Sequence, residues 1–213
     1  MIEILKVFLT FPILAYASFL DWKHREIDDK SWLLLAALGI LFLLYNFEIK
    51  NFLISVVATA IFSLALYYLG LIGGGDAKIL VGIGALFPVY PSAITLFPIF
   101  AISVFANAVL LSALLPIFFF TRNLKHLKEI RSVRDFFVLF LGYKKDASQI
   151  KSYEAVVDSI FLNVSKVRLG KKNGRGEVWV TPALPFLIPI TIGFLIAAFF
   201  GDLASFIIMA LIK

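Results

Sequence analysis

Apolar stretches of close to 20 residues recur along this chain, and that pattern restricts its fold more than any other feature. A helix needs about 20 apolar residues to cross the roughly 30 Å hydrocarbon core of a bilayer. Spans are expected at about 4–20, 32–47 and 52–72, with two more within 77–120 and a last one at about 183–200, extending toward 212. Between the fourth and fifth spans a turn must fall at "PVYP" (88–91) or at Pro98, because proline ends or kinks helices. The earlier turn leaves the fourth span ten or eleven residues long, too short to cross a full bilayer. Either placement keeps six crossings.

Composition agrees. The chain is 61% hydrophobic and 16% charged, whereas a soluble domain has about 45–50% apolar and about 25% charged residues. The first apolar run reads as a retained helix and not a cleavable signal, because no small-residue cleavage motif follows it. With no cysteine, disulfides, thiol nucleophiles and zinc–thiolate sites are excluded. His24 and His126 lack metal-like spacing, so neither a metal nor another cofactor is expected. A net charge of +6 raises the question of nucleic acid. In a membrane protein the distribution of charge matters more than its sum, and no nucleic-acid partner is expected.

That distribution is one-sided. Seventeen of the twenty Lys and Arg residues fall in one set of loops, carrying Lys23, Arg25, Lys30 and Lys78 and then thirteen between Arg122 and Arg175. The other side receives Lys6, Lys50 and Lys213. By the positive-inside rule the first set is cytoplasmic and both termini face outward. Residues 121–181 are the one sizeable polar segment. Within it "VSKVRLGKKNGRGEVWVTP" reads as two strands around a turn at Asn173-Gly174, "FFVLFLGY" (136–143) as a strand, and "SYEAVVDSIFLNV" as a short helix. Its basic surface suits anionic lipid headgroups or, equally, a solvated loop face. The expected fold is an all-α polytopic membrane protein of about six transmembrane helices, with a small cytosolic α+β insert before the last helix. Its parts are residues 1–120, 121–181 and 182–213.

Two short segments stand out: "SFLDWKHREIDD" (18–29) and "GLIGGGDAKIL" (70–80). Asp21 closes the first span and Asp76 opens the fourth, at one level of the membrane. Ionisable residues beside spans are functional candidates. Two carboxylates at one depth suit acid–base work on a water molecule, one ionised to take a proton and one neutral to give it. Gly73, Gly74 and Gly75 have no side chain to obstruct a backbone approaching Asp76. Gly70 and Gly74 form a small-xxx-small pair suited to close helix packing. Plainer readings exist: Asp76 as a helix cap, Asp21 as an interfacial charge, Lys78 as a snorkelling anchor. Asp28, Asp29 and Ser31 read as the cap of the second span, and Asp202 as structural.

"GGGDAKILVGIGALF" resembles the Gly-x-Gly-Asp motif of membrane aspartic proteases, and its continuation resembles type IV prepilin peptidases. "DWKHREIDD" is similar to the first catalytic segment of that family, with Ile27-Asp28-Asp29 where many bacterial members have Ile-Pro-Asn. "TPALPFL" (181–187) resembles the Pro-Ala-Leu element of presenilin-type proteases. In layout the chain is most similar to archaeal preflagellin peptidases. The resemblance implies Asp21 and Asp76 as the catalytic pair, with precursors of flagellin or pilin-like proteins as substrates. Cleavage of a short basic leader at the cytoplasmic face is then expected, without methyltransferase activity. Glu26, Asp28 and Asp29 become candidate contacts for the leader. The alternatives are an ion-coupled transporter or channel, a non-enzymatic scaffold, and a presenilin-like protease cutting inside a substrate's span.

Overall fold

The computed structural model describes residues 2–88, 97–129, 132–151, 153–157 and 176–212. Its contacts divide the chain into two units, Met1–Ser112 with Pro185–Lys213, and Ala113–Leu184.

In the first unit, α1 (Ile2–His24), α2 (Asp29–Asn46) and α3 (Ile49–Tyr68) carry apolar residues on every side, as helices surrounded by lipid and protein do. α1 stops where Arg25 adopts a left-handed conformation, φ 60°. Asp28 then caps α2, its Oδ1 accepting the Lys30 N–H at 3.0 Å, which satisfies a donor the helix cannot. The remaining helices of this unit are α4 (Gly74–Leu86), α5 (Phe100–Ser112), α8 (Leu187–Phe200) and α9 (Leu203–Ile212).

Among the described residues four helical stretches are long and apolar enough to cross a membrane: Ile2–His24, Asp29–Asn46, Ile49–Tyr68 and Phe100–Lys128. The pair α8 and α9, bent by 58°, supplies a fifth if it is one span. The difference from six is α4. Its 13 residues reach only about 20 Å. It ends at Leu86, the next helix among the described residues starts at Phe100, and Pro88 and Pro98 lie between the two.

α4 packs against α2, α3 and α5. Its closeness to α2 depends on Gly39, where a Cβ would stand 2.7 Å from the Ala85 carbonyl. The core centres on Phe87, stacked on Phe100 with ring centroids 4.7 Å apart, and on Phe194, which meets both rings edge-on. Fully buried Asn107 fastens the α8–α9 corner. Its Nδ2 donates to the Gly193 and Gly201 carbonyls at 3.3 and 3.2 Å, and its Oδ1 accepts the Leu203 N–H at 2.7 Å. Asp202 is buried beside it and caps α9 through the Ser205 N–H, a structural role.

The second unit holds α6 (Leu114–Asn123), a 3-10 segment (Leu124–Glu129), α7 (Val133–Leu141) and a sheet of β1 (Tyr143–Asp146), β2 (Glu154–Val156) and β3 (Glu177–Pro182). β3 is central and antiparallel to both neighbours, with Tyr143 and Val156 opposite Val180. Two local expectations are corrected. The "FFVLFLGY" stretch is helical through Leu141, because Phe136 and Phe140, four residues apart, form one face that packs on Phe120. Short apolar runs read equally well as helix or strand. The expected helix over "SYEAVVDSIFLNV" gives way at its start to β2, where pairing with β3 outweighs local preference. The expected strand after Gly176 is present as β3, whereas the Asn173-Gly174 turn lies outside the described residues.

Glu154 is 1% exposed and is held by four hydrogen bonds from three groups. Tyr143 Oη donates at 2.5 Å, the Lys151 N–H at 2.7 Å, and Lys145 Nζ to both carboxylate oxygens at 2.9 Å. Burial alone would raise its pKa, but these bonds together pull it below the usual carboxylate range. The Tyr143 hydroxyl is pushed well above its ordinary value by burial and by its bond to that carboxylate.

Candidate active site

Asp21 sits in the last turn of α1 and is 9% exposed. Its Oδ2 accepts the backbone N–H of Leu187, the first residue of α8, at 3.2 Å. A helix N-terminus leaves its first N–H groups without intrahelical partners, so a carboxylate is a natural acceptor there. Ser18, one turn earlier, fixes the same junction. Its hydroxyl bonds the Leu187 carbonyl at 3.0 Å and the Thr191 hydroxyl at 2.7 Å. α1 and α8 are thus latched together beside Asp21 by polar groups shielded from solvent.

Asp76 lies in the first turn of α4 and is 7% exposed. Its Oδ2 accepts the Gly73 N–H at 3.2 Å, one arm of a capping arrangement whose other arm glycine cannot supply. The other oxygen, Oδ1, is buried and has no hydrogen-bond partner among the described residues. A buried carboxylate oxygen left without a donor is costly, and native structures keep such groups where function needs them. The two aspartates, brought from different helices, stand near enough for the charge of Asp21 to act on Asp76.

The glycines divide by role. At Gly75 a Cβ would lie 2.7 Å from Ile27 Cδ1 and 2.8 Å from its Cβ, so Ile27 already fills the space that a side chain would need. At Gly73 a Cβ would come within 3.1 Å of Asp76 Oδ2. Gly74 would meet only the Tyr67 ring edge at 3.4 Å, an ordinary contact. The expected Gly70–Gly74 packing pair is corrected: Gly70 occupies a turn at φ 71° with nothing within 4 Å of a Cβ, so the two never share a helix face.

Lys78 and Asp29 pair with each other at 2.5 Å, and Trp32 Nε1 also donates to Asp29 at 3.2 Å. Asp29 is therefore engaged, while Asp28 is 3.9 Å from Lys30, whose side chain is 89% exposed. Glu26 is exposed at the same end of α1. Among the described residues no cluster of His, Cys, Asp and Glu suits a metal ion.

Residues 8–128 match the type IV leader peptidase family. The chain belongs to that family. Residues 116–203 match a second description, Archaeal Peptidase A24 C-terminus Type II. Three relatives are similar over most of their length, each named a preflagellin peptidase. The protein of Methanococcus voltae is 33% identical over 214 residues, covering 89% of this chain and 92% of its own. That of Methanococcus maripaludis is 31% identical over 211 residues, with the same coverage. That of Methanocaldococcus jannaschii is 29% identical over 212 residues, covering 89% and 91%.

In this leader peptidase family member, sequence reasoning missed the residues that hold Asp21. Leu187 ends the "TPALPFL" segment and contributes through its backbone, which no side-chain pattern announces. Ser18 and Thr191 are separated by 173 positions, and nothing local links them.

Proposed function

We propose that the chain is a membrane aspartic endopeptidase that removes the leader from preflagellin-like or pilin-like precursors, with Asp21 and Asp76 activating water. The observation that carries this reading is the pair itself: two buried carboxylates from separate helices, each with one oxygen held by a backbone N–H, and Asp76 Oδ1 without a partner. The membership in a leader peptidase family and the names of the similar proteins support it.

In this mechanism the pair shares one proton. The ionised carboxylate takes a proton from water as the oxygen attacks the scissile carbonyl carbon. The neutral carboxyl donates its proton to the carbonyl oxygen, giving a tetrahedral diol. On collapse a proton passes to the leaving amide nitrogen, the C–N bond breaks, and the pair returns to its starting protonation. No cofactor enters. The Leu187 and Gly73 N–H groups position the two carboxylates, and their burial strengthens every charge interaction during the reaction.

The excess of Lys and Arg around the loops nearest Asp21 and Asp76 supports a cytoplasmic site. Residues 121–181 are read as a cytosolic insert, and the peptidase acts without methyl transfer. Precursors and membrane lipids are its partners. The test is cleavage of an archaeal preflagellin in detergent or vesicles by wild type, Asp21→Asn and Asp76→Asn, with the product's new N-terminus sequenced. Cleavage by wild type alone, just before the precursor's apolar segment, is the expected result. An Asn variant that still cuts at the wild-type rate overturns the roles given to the pair.

A further inference from the structure

The residues of α7 sort into two faces. Val138 and Leu139 are buried. Val133, Phe136, Phe137 and Leu141 are exposed, Val133 by 75% and Phe137 by 55%, and Phe140 is partly so. At helical spacing these apolar residues fall within an arc of roughly 140°, which holds neither charged residue of α7. A contiguous exposed apolar face of this kind marks an interaction surface.

What covers the face follows from where α6 holds it. α6 lies within the apolar stretch Phe100–Lys128, which is long enough to cross a membrane. No charged residue occurs between Lys78 and Arg122, so Phe120 sits just before the first cation at the end of that stretch. The Phe120 ring stacks on Phe140, with centroids 4.4 Å apart, and meets Phe136 edge-on at 6.1 Å. Asn123, itself buried, donates from Nδ2 to the Leu139 and Gly142 carbonyls at 2.9 and 2.6 Å. These bonds satisfy carbonyls that a helix end leaves open, which is the condition for taking that end out of water. α7 is thus fixed at the level where the span passes from apolar residues to cations. Those cations are dense: residues 122–134 hold Arg122, Lys125, Lys128, Arg131 and Arg134 against Glu129 alone. Aromatic rings beside cations at the end of a span suit a membrane–water interface.

We propose that α7 lies in the cytoplasmic interface of the bilayer. Its Val133, Phe137 and Leu141 face enters the acyl region, and the cations of 122–134 rest on anionic headgroup phosphates. A helix with an apolar face and basic flanks binds a lipid surface in this way. The span supplies the membrane at that level, so no second protein is needed to cover the face. The insert is then tied to the bilayer by α7 as well as by α6. None of this depends on the peptidase reading.

The absence of cysteine makes single-site labelling direct. Val133→Cys and Phe137→Cys carry a nitroxide on the full chain, in vesicles of phosphatidylcholine with phosphatidylglycerol. Ile117→Cys, exposed on α6 within the span, and Gln149→Cys, exposed beside the sheet, are the controls. The readout is the ratio of collisions with dissolved oxygen, which concentrates among acyl chains, to collisions with a water-soluble nickel chelate. At 133 and 137 this ratio is expected several-fold above that at 149 and close to that at 117. Leaving out phosphatidylglycerol should lower it at both α7 positions and leave 117 unchanged, and Lys125→Glu with Lys128→Glu should do the same in mixed vesicles. A ratio at 133 and 137 equal to that at 149 puts the face in water and overturns the proposal. Few collisions with either reagent mean that protein covers the face, and overturn it equally. Indifference to phosphatidylglycerol and to the two glutamates overturns the contact with anionic headgroups. Precursor cleavage plays no part in this readout, so failure here and failure of the peptidase reading are told apart.

Discussion

At Gly75 a hydrogen atom is all the site allows. Gly75→Ala would push Ile27 off the first turn of α4, and overpacking of this kind costs about 1–3 kcal/mol. The expected result is a marked loss of cleavage together with a lowered thermal midpoint in detergent. Gly74→Ala, one residue away, meets only the edge of Tyr67 and is expected to stay within about 0.5 kcal/mol of wild type. A reversed order of the two variants would remove Ile27 from its role as the packing partner of the glycine motif. The sequence marked this cluster as unusual but could not say which glycine mattered, because the obstruction comes from a residue 48 positions earlier. The same limit applies at Asp21. Its identity as a candidate followed from an apolar run ending on an acid, whereas its partner, a backbone N–H on α8, has no signature in residue type.

Secondary structure elements differ in how far local pattern determines them. The long apolar runs dictated α1, α2 and α3 because lipid leaves the backbone no alternative to internal hydrogen bonding. The second unit gave no such guidance. α7 was mistaken for a strand because its aromatic face is visible only against Phe120, and β2 for a helix because its partner β3 lies more than 20 residues downstream. This sheet carries its own tests. A Cβ on Gly142 would fall 2.0 Å from the Val180 carbonyl oxygen, a backbone atom that cannot step aside. Gly142→Ala should therefore open the sheet, seen as rapid proteolysis between residues 113 and 184. The Glu154 network sets a pH window. With its folded pKa lowered, Glu154 contributes stability above the unfolded value of about 4.3, and that contribution fades as pH falls through the folded value. Tyr143, with its pKa raised, contributes below the unfolded value of about 10 and loses this as pH rises toward the folded one. Amide exchange at Val178 and Val180 should slow between these limits and quicken beyond them, and Glu154→Gln should abolish the acid limb.

Over the whole molecule, sequence similarity of about 30% spans nearly the full length of the preflagellin peptidases. Membrane character and family were legible in the sequence because each is written in long runs or in a compact motif. The number of complete crossings was not, since it depends on where α4 ends, and the prolines at 88 and 98 allowed more than one answer. A pair that needs one ionised and one neutral carboxyl predicts a bell-shaped pH dependence of kcat/KM, and a single-limbed profile would point to one titrating group in place of two. The brevity of α4 has a consequence in the bilayer. α4 is enclosed by its neighbours, with Lys78 its one exposed residue, so bilayer thickness acts on it through the tilt of the longer helices around it, at a cost of fractions of a kcal/mol per Å. Reconstitution in phosphatidylcholines of increasing acyl length should slow cleavage progressively while leaving the detergent-solubilised rate unchanged. Membrane thickness then becomes a determinant of how readily Asp76, at the head of that helix, stays level with the interface.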